Sequence, residues 1–165
     1  MSEARTPEQR LAELGLELPA PPTAVAAHQP YVLTGRTVHV SGQIATRNGH
    51  LVARGRLGAD FDVGMGKECA RACALNVLAQ LRAAAGGSLN AVRHLVKVNV
   101  YVASDAELVD QPQVANGASQ LLLDVLGPAG PHARSAIGVA ALPRGTPVEI
   151  DAVAEIDRTE GTGHS

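Results

Sequence analysis

The sequence has very few aromatic residues. Phe, Trp and Tyr together make up 2% of the 165 residues, and Trp is absent. The hydrophobic core must therefore be built from Val, Leu, Ile and Ala, which pack closely but bury less area per residue than aromatic rings. Because 45% of the residues are hydrophobic, the chain can fill one core, and we expect a single main domain that gains stability from oligomerisation.

An excess of positive charge and long apolar runs are also lacking. The formal net charge is −2 and the arginines are scattered, whereas proteins that bind phosphate backbones usually carry clustered Lys and Arg. No segment reaches the roughly 18 consecutive apolar residues that span a bilayer. The N-terminus is polar through Arg10, unlike a signal peptide. These absences predict a cytoplasmic protein with neither nucleic acid nor a membrane as partner.

Cysteine is scarce as well. Cys69 and Cys73 lie four residues apart in a predicted helix. Without further Cys or a His at ligand spacing, a zinc site lacks its remaining ligands. We predict no metal site and two buried thiols that pack as small apolar groups, with metal or redox chemistry as the alternative. The segment Gly64-Met65-Gly66-Lys67 lacks the spacing of a phosphate-binding loop, so no cofactor is predicted.

Residues 1–22 are predicted to form a short helix and a linker. Thr6-Pro7-Glu8-Gln9 offers a hydroxyl N-cap, a proline in the first turn and Gln at the third position, and the helix should end near Gly15. The prolines in 19–22 favour an extended linker, because their φ is fixed and they lack an N–H. The main domain is expected over 23–157 and a disordered tail over 158–165.

The main domain alternates strand and helix patterns. The predicted elements are two strands around a Thr34-Gly35-Arg36 turn within 31–41, a helix over 62–85, a strand over 92–102, a helix over 111–126, and strands over 134–140 and 148–156. The order β-β-α-β-α-β-β indicates an α+β domain in which two helices cover one face of a sheet.

Two strands allow more detailed predictions. Alternation places four valines on one face of the strand over 92–102: Val96, Val98, Val100 and Val102. One face of the last strand is apolar, and the other is mixed: Glu149, Asp151, Val153 and Glu155. A mixed sheet face of this kind commonly meets another subunit.

The chain resembles a known family most clearly near its C-terminus. The C-terminal signature of the Rid (YjgF) family, the reactive intermediate deaminases, is similar to these segments: His132-Ala133-Arg134-Ser135, Ile137-Gly138-Val139, Leu142-Pro143 and Pro147 to Ala152. Earlier landmarks fall in the same order as in that family: Ser41-Gly42-Gln43, Asn76, Val96 to Val102, and Asn116. The N-terminal helix with its Pro-rich linker resembles a less characterised Rid-like subfamily.

This resemblance runs from about Thr23 to Ile156. It implies a chorismate-mutase-like domain, with a mixed β-sheet and two main helices on one face. It also implies a homotrimer whose sheets face inward and whose small-molecule pockets lie between subunits.

The resemblance assigns roles to two residues. Arg134 is expected to hold the carboxylate of an imino acid, since a guanidinium presents a planar fork that matches a carboxylate. A structural salt bridge is the alternative. Glu149 is expected to orient or deprotonate the attacking water, or to protonate the departing ammonia; an exposed or ion-paired carboxylate is its alternative.

Two further residues are candidates for substrate binding. The tyrosine expected from the family falls on His28, where an imidazole could act as acid or base; an ordinary loop histidine is the alternative. Asn116 could supply an amide, and Gly117 could let backbone approach a ligand, although both could equally serve packing. His132 is expected at the rim of the site.

The connection between the last two strands bears on the pocket. In a tight hairpin around Pro143-Arg144-Gly145, Arg134 would lie about six residues, or ~20 Å, from the position opposite Glu149. A common pocket then needs two subunits or a looser connection, and we favour two subunits.

Three functions are compatible with these residues. The first is hydrolysis of 2-imino or enamine acids to 2-keto acid and ammonia, without cofactor. The second is a non-catalytic trimer that binds a small carboxylate-bearing metabolite through Arg134. The third, endoribonuclease activity, is disfavoured by the net charge of −2 and the shortage of aromatic residues for base stacking.

Overall fold

The computed structural model describes residues 3–23 and 27–157 and shows an α+β fold. The strands are β1 (Tyr31–Thr34), β2 (Thr37–Ile44), β3 (Thr46–Arg47), β4 (His50–Leu51), β5 (Val92–Ala103), β6 (Ala133–Val139) and β7 (Val148–Ile156). Five of them form one sheet in the order β1-β2-β7-β5-β6. Only the β5–β6 pair in this sheet is parallel, so the sheet is mixed, as predicted.

Three α-helices complete the described fold. They are α1 (Pro7–Glu13), α2 (Val63–Ala84) and α3 (Gln111–Leu126). The predicted helix ends are confirmed: Gly86 and Gly87 after α2 and Gly127 after α3 all adopt positive φ, which glycine tolerates without steric cost. Helices α2 and α3 pack together and cover one face of the sheet.

The core lies between that sheet face and the two helices. Alternate residues of β7 are buried there, from Val148 through Ile156, whereas the residues between them are partly exposed on the open face. This confirms the predicted mixed face. The predicted valine face of β5 is correct at three of its four positions, and Val96 is the exception, because the register with β7 shifts between Leu95 and Lys97. Leu95 is buried in its place, and Val96 is 44% exposed.

Glu8 and Leu11 connect the N-terminal helix to the rest of the domain. The predicted capping box at Thr6 is present, and Leu11 joins the core. Glu8 accepts hydrogen bonds from Arg82 on α2 and from the backbone N–H of Leu89. Burial alone would raise the pKa of Glu8, but these hydrogen bonds and the nearby Arg82 charge together lower it. The predicted disordered tail, 158–165, lies outside the described residues.

The two cysteines are buried and free, as predicted. Burial raises the pKa of Cys69 to about 11 and raises that of Cys73 well above its ordinary value. Within 3–23 and 27–157, the acidic, His and Cys side chains form no cluster that could hold a metal ion. None of the helices described is both long and apolar enough to cross a bilayer.

Candidate functional site

Arg134 lies on the helix-covered face of the sheet, at its β6 edge. It pairs with Val98 of β5, whose side chain is fully buried under the helices. Asn116 and Ser119 are one turn apart on α3 and therefore point in the same direction. Arg134 Nη1 donates to Asn116 Oδ1 at 2.8 Å and to Ser119 Oγ at 3.2 Å. The structure thus brings two of the predicted site residues, Arg134 and Asn116, into contact.

These two hydrogen bonds use both hydrogens of Nη1. Among the described residues, neither Nε nor Nη2 of Arg134 has a hydrogen-bond partner, and no carboxylate forms an ion pair with the guanidinium. The edge formed by Nε and Nη2 can therefore receive a carboxylate through two parallel hydrogen bonds. A structural salt bridge, the alternative considered for Arg134, is not formed within this part of the chain.

His132 extends the same group of side chains. It lies two residues before Arg134, so both point to the same face of an extended segment. Its Nε2 is 2.9 Å from Ser119 Oγ, and its Nδ1 is 2.7 Å from the carbonyl oxygen of Gly130. Arg134, Asn116, Ser119 and His132 together are called the arginine cluster below.

Glu149 lies elsewhere, on the open face of the sheet. It faces a bulge in β2, where Ser41 and Gly42 interrupt the pairing with β7 between Val40 and Gln43. The Glu149 carboxylate occupies the space next to the Gly42 Cα that a side chain at position 42 would need. Burial, and next the charge of Asp151, raise the pKa of Glu149 above its ordinary value of 4.5.

Other polar side chains surround Glu149 on this open face. Asp151 accepts hydrogen bonds from Asn99 at 2.8 Å and from the Tyr101 hydroxyl at 2.9 Å. The hydrogen bond to Asp151, together with burial, raises the pKa of Tyr101. Near the β6 edge of the same face, Ile137 is 50% exposed. The open face therefore carries Glu149 beside the hydrogen-bonded Asp151, and exposed apolar surface near its β6 edge.

His28 is exposed and lies near the Glu149 side of the molecule rather than in the arginine cluster. The carbonyl of the next residue, Gln29, accepts a hydrogen bond from the Ser41 hydroxyl at 2.6 Å. Ser41 in turn precedes Gly42, which contacts Glu149. Within the described residues, His28 makes no side-chain hydrogen bond to the other three predicted site residues.

Arg134 and Glu149 do not share a pocket within one chain. The last two strands do not form a hairpin, because β5 lies between β6 and β7. Arg134 aligns with Val98, and Glu149 aligns with Tyr101. Their Cα atoms are two strand spacings apart across the sheet and three residues apart along the strands, which corresponds to about 14 Å. Their side chains also point to opposite faces of the sheet, so the distance between the functional groups is larger.

Two hollows of the described chain lie away from both groups. One, of about 380 Å³, is lined by α1 residues and Arg82. The other, of about 670 Å³, is formed by the loop 58–62 with Met65 and Leu108. Neither includes Arg134 or Glu149.

Ser119 was not selected from the sequence, and His132 was expected only at the rim of the site; the structure places both in the arginine cluster. Their spacings to Asn116 and Arg134 are visible in the sequence, but the contact between α3 and β6 is not. The sequence also left the role of Gly117 open between approach of a ligand and packing. A Cβ at position 117 would lie 2.6 Å from the backbone oxygen of Lys67, so Gly117 permits close packing of α3 on α2.

The chain matches a protein family over most of its length. Residues 8–156 match the family described as "YjgF/chorismate mutase-like, putative endoribonuclease". The Trypanosoma cruzi protein TCP17 is 45% identical over 148 residues, which cover 89% of this chain and 92% of TCP17.

Solved structures show the same fold. Atu1372 of Agrobacterium tumefaciens, described as of unknown function, has a TM-score of 0.86 and 44% identity, over 93% of this chain and 94% of its own. A protein from Shewanella oneidensis described as a putative endoribonuclease has a TM-score of 0.88 and 33% identity, over 92% and 100%. E. coli TdcF, solved with bound serine, has a TM-score of 0.62 and 27% identity, over 84% and 94%.

Proposed function

Because this chain belongs to the YjgF/chorismate mutase-like family, we propose that it is a deaminase that hydrolyses 2-imino acids to 2-keto acids and ammonia. The observation that carries the proposal is the unpartnered Nε–Nη2 edge of Arg134 within the described residues. Nη1 is fixed by Asn116 and Ser119, so the guanidinium is already oriented before a carboxylate binds. The bound serine of TdcF, an amino acid with a free carboxylate, supports a ligand of this class.

The pocket forms between subunits of a homotrimer. Arg134 and Asn116 come from one chain, and Glu149 comes from the next, because one chain presents them on opposite faces of its sheet. The polar open face and the exposed Ile137 supply the surface on which the neighbouring chain packs.

The reaction needs one proton donor and one proton acceptor. Water adds to the imine carbon, forming a C–O bond while the C=N π electrons move to nitrogen. The nitrogen gains two protons in all, matching the two that the water loses, and the C–N bond then breaks so that ammonia leaves as the carbonyl forms. The raised pKa of Glu149 suits it to donate the proton to the departing nitrogen.

The test uses imines that an amino-acid oxidase generates in solution. Semicarbazide captures the imine, so enzymatic hydrolysis lowers the amount of semicarbazone and releases 2-keto acid. Wild type should accelerate hydrolysis, and both Arg134→Ala and Glu149→Gln should abolish the acceleration. Arg36→Ala, a change in the exposed β1–β2 turn, is the matched control and should behave as wild type.

Mixing the two inactive variants tests the shared pocket. After exchange of subunits, some pockets combine Arg134 of one chain with Glu149 of the other, so activity should return. Inactive mixtures whose subunits demonstrably exchange would contradict a pocket built from two chains.

A non-catalytic trimer that binds the same carboxylates is the second candidate. It is favoured by exposed His28, which stands where the family tyrosine is expected. Keto-acid binding that depends on Arg134, without acceleration of any imine, would support this candidate and contradict the deaminase.

A further inference from the structure

The open face of the sheet carries two carboxyl groups next to each other. Glu149 and Asp151 are two residues apart on β7, so both side chains point to this face, with their Cβ atoms about 7 Å apart. On the neighbouring strand β5, Tyr101 aligns with Glu149, and Asn99 aligns with Asp151. Four polar side chains therefore meet on two adjacent strands.

Asp151 is held at both of its carboxylate oxygens. Asn99 Nδ2 donates to Oδ1 at 2.8 Å, and the Tyr101 hydroxyl donates to Oδ2 at 2.9 Å. Both donors are neutral, since the raised pKa of Tyr101 keeps its hydroxyl protonated. They fix the carboxylate in place without cancelling its charge. Among residues 3–23 and 27–157, no basic side chain forms an ion pair with Asp151 or Glu149.

Other titratable groups around Glu149 leave Asp151 as its nearest charged neighbour in the described chain. They are Lys97 on β5, His39 on β2, His28 in the exposed loop before β1, and Cys73 on α2. Lys97 and His39 both align with Val153, four residues, or about 13 Å, along β7 from Glu149. The raised pKa of Cys73 keeps this buried thiol uncharged. On the β2 side, Glu149 faces the uncharged bulge at Gly42.

The proposed hydrolysis needs a proton on Glu149 at the start of each turnover. Glu149 gives this proton to the imine nitrogen as the water oxygen bonds to the imine carbon, and it takes one proton back from that oxygen. It then protonates the same nitrogen again. The C–N bond breaks with its electron pair on nitrogen, and the last oxygen proton returns to Glu149 as the carbonyl forms. Nitrogen has gained two protons, the water has lost two, and Glu149 is again protonated.

We propose that Asp151, held by Asn99 and Tyr101, is a positioning residue that keeps the Glu149 carboxyl protonated near neutral pH, an inference that rests on the proposed deaminase function. Asp151 acts through Glu149, because a fixed negative charge about 7 Å away opposes ionisation of a second carboxyl group. Its charge adds to burial, which is the larger cause of the raised pKa of Glu149. In the occupied pocket, the substrate carboxylate balances the positive charge of Arg134 on the neighbouring chain.

Asp151→Asn removes this charge while preserving shape. The amide oxygen can accept from Asn99, and the amide N–H can donate to the Tyr101 oxygen. The kcat for imine hydrolysis should match wild type on the acidic side of the pH profile. The pH at which kcat falls to half should decrease by about 0.5–1 unit, which is a loss of about 3- to 10-fold at higher pH. Glu155→Gln, which removes the same charge six residues along β7, is the matched control and should keep the wild-type profile.

The outcomes distinguish the role of Asp151 from the deaminase itself. An unchanged profile in folded Asp151→Asn, or an equal shift in Glu155→Gln, would overturn the role of Asp151 and leave the deaminase intact. No acceleration by wild type at any pH would overturn the deaminase. Titration of the Glu149 carboxyl carbon by ¹³C NMR, assigned by its absence in Glu149→Gln, tests Asp151 without activity. Its midpoint should fall by about 0.5–1 unit in Asp151→Asn, and an unchanged midpoint would overturn the role of Asp151.

Discussion

Replacing Gly42 by Ala tests whether catalysis requires the Glu149 carboxylate to occupy its place beside Gly42. A Cβ at position 42 would stand 2.9 Å from the Glu149 carboxyl carbon, whereas ordinary contact begins near 3.4 Å. The carboxyl carbon must therefore retreat by at least about 0.5 Å, and the nearer oxygen by more. A misplacement of about 1 Å in a catalytic group can lower a rate about 100-fold, equivalent to about 2.7 kcal/mol of barrier.

The same substitution should hardly affect stability. Gly42 does not need a positive φ, and the displaced group is the free end of a flexible side chain. An off-rotamer glutamate costs about 1 kcal/mol, and losing a glycine in the unfolded chain returns a similar amount. The melting temperature should stay within about 3 °C of wild type.

The assay is imine hydrolysis by wild type, Gly42→Ala, Glu149→Ala and the double variant. Gly42→Ala should be about as inactive as Glu149→Ala, and the double variant should lose nothing further, because both changes remove the same carboxylate from its place. Full activity in Gly42→Ala would refute the reasoning. A further large loss in the double variant would also refute it, since Gly42 would then act independently of Glu149.

Three further predictions concern titration, thiol reactivity and packing. Because folding raises the pKa of Glu149 above 4.5, its contribution to stability is present at low pH and is lost as pH rises through the folded pKa. In urea unfolding, the stability of Glu149→Gln minus that of wild type should therefore be larger at pH 7 than at pH 4. An equal difference at both pH values would contradict this. Burial of the Cys69 and Cys73 thiols predicts no rapid reaction with a thiol reagent at pH 8 in the native protein and two equivalents after denaturation; stoichiometric native labelling would exclude the described packing. Gly117→Ala brings a Cβ to 2.8 Å from the Lys67 Cα and should cost about 1–3 kcal/mol of stability, seen as a lower melting temperature; an unchanged value would show that α2 and α3 separate easily.

Local signals in the sequence were sufficient for the three α-helices and the five strands of the main sheet, but not for the short β3–β4 hairpin. The Thr6 capping box and the glycines after α2 and α3 act within one turn of chain, so they can be recognised without a partner. The alternating burial of β7 likewise follows from its own residues. The predicted burial of Val96 was wrong because the register shift in β5 arises from its pairing with β7, which the sequence of one strand does not specify.

The candidate site was less accessible from the sequence. Arg134 and Asn116 were selected through family resemblance, and their contact is now seen at 2.8 Å. The hydrogen bonds of Ser119 with Arg134 and His132 depend on α3 lying over β6, which is a tertiary contact. The close approach of Glu149 to Gly42 depends on the β2 bulge. The spacing of residues along one helix or strand can be predicted from the sequence, but which helix contacts which strand cannot.

The placement of Arg134 and Glu149 on opposite faces of one sheet has a genetic consequence. In a ring assembled as proposed, every chain serves two pockets, giving its arginine to one and its glutamate to the other. A chain altered at both positions would disable two of the three pockets in any ring that contained it. In a cell with one normal and one doubly altered gene copy, random assembly would then leave far fewer than half of the pockets working, because the altered chains would also disable pockets that they share with normal chains.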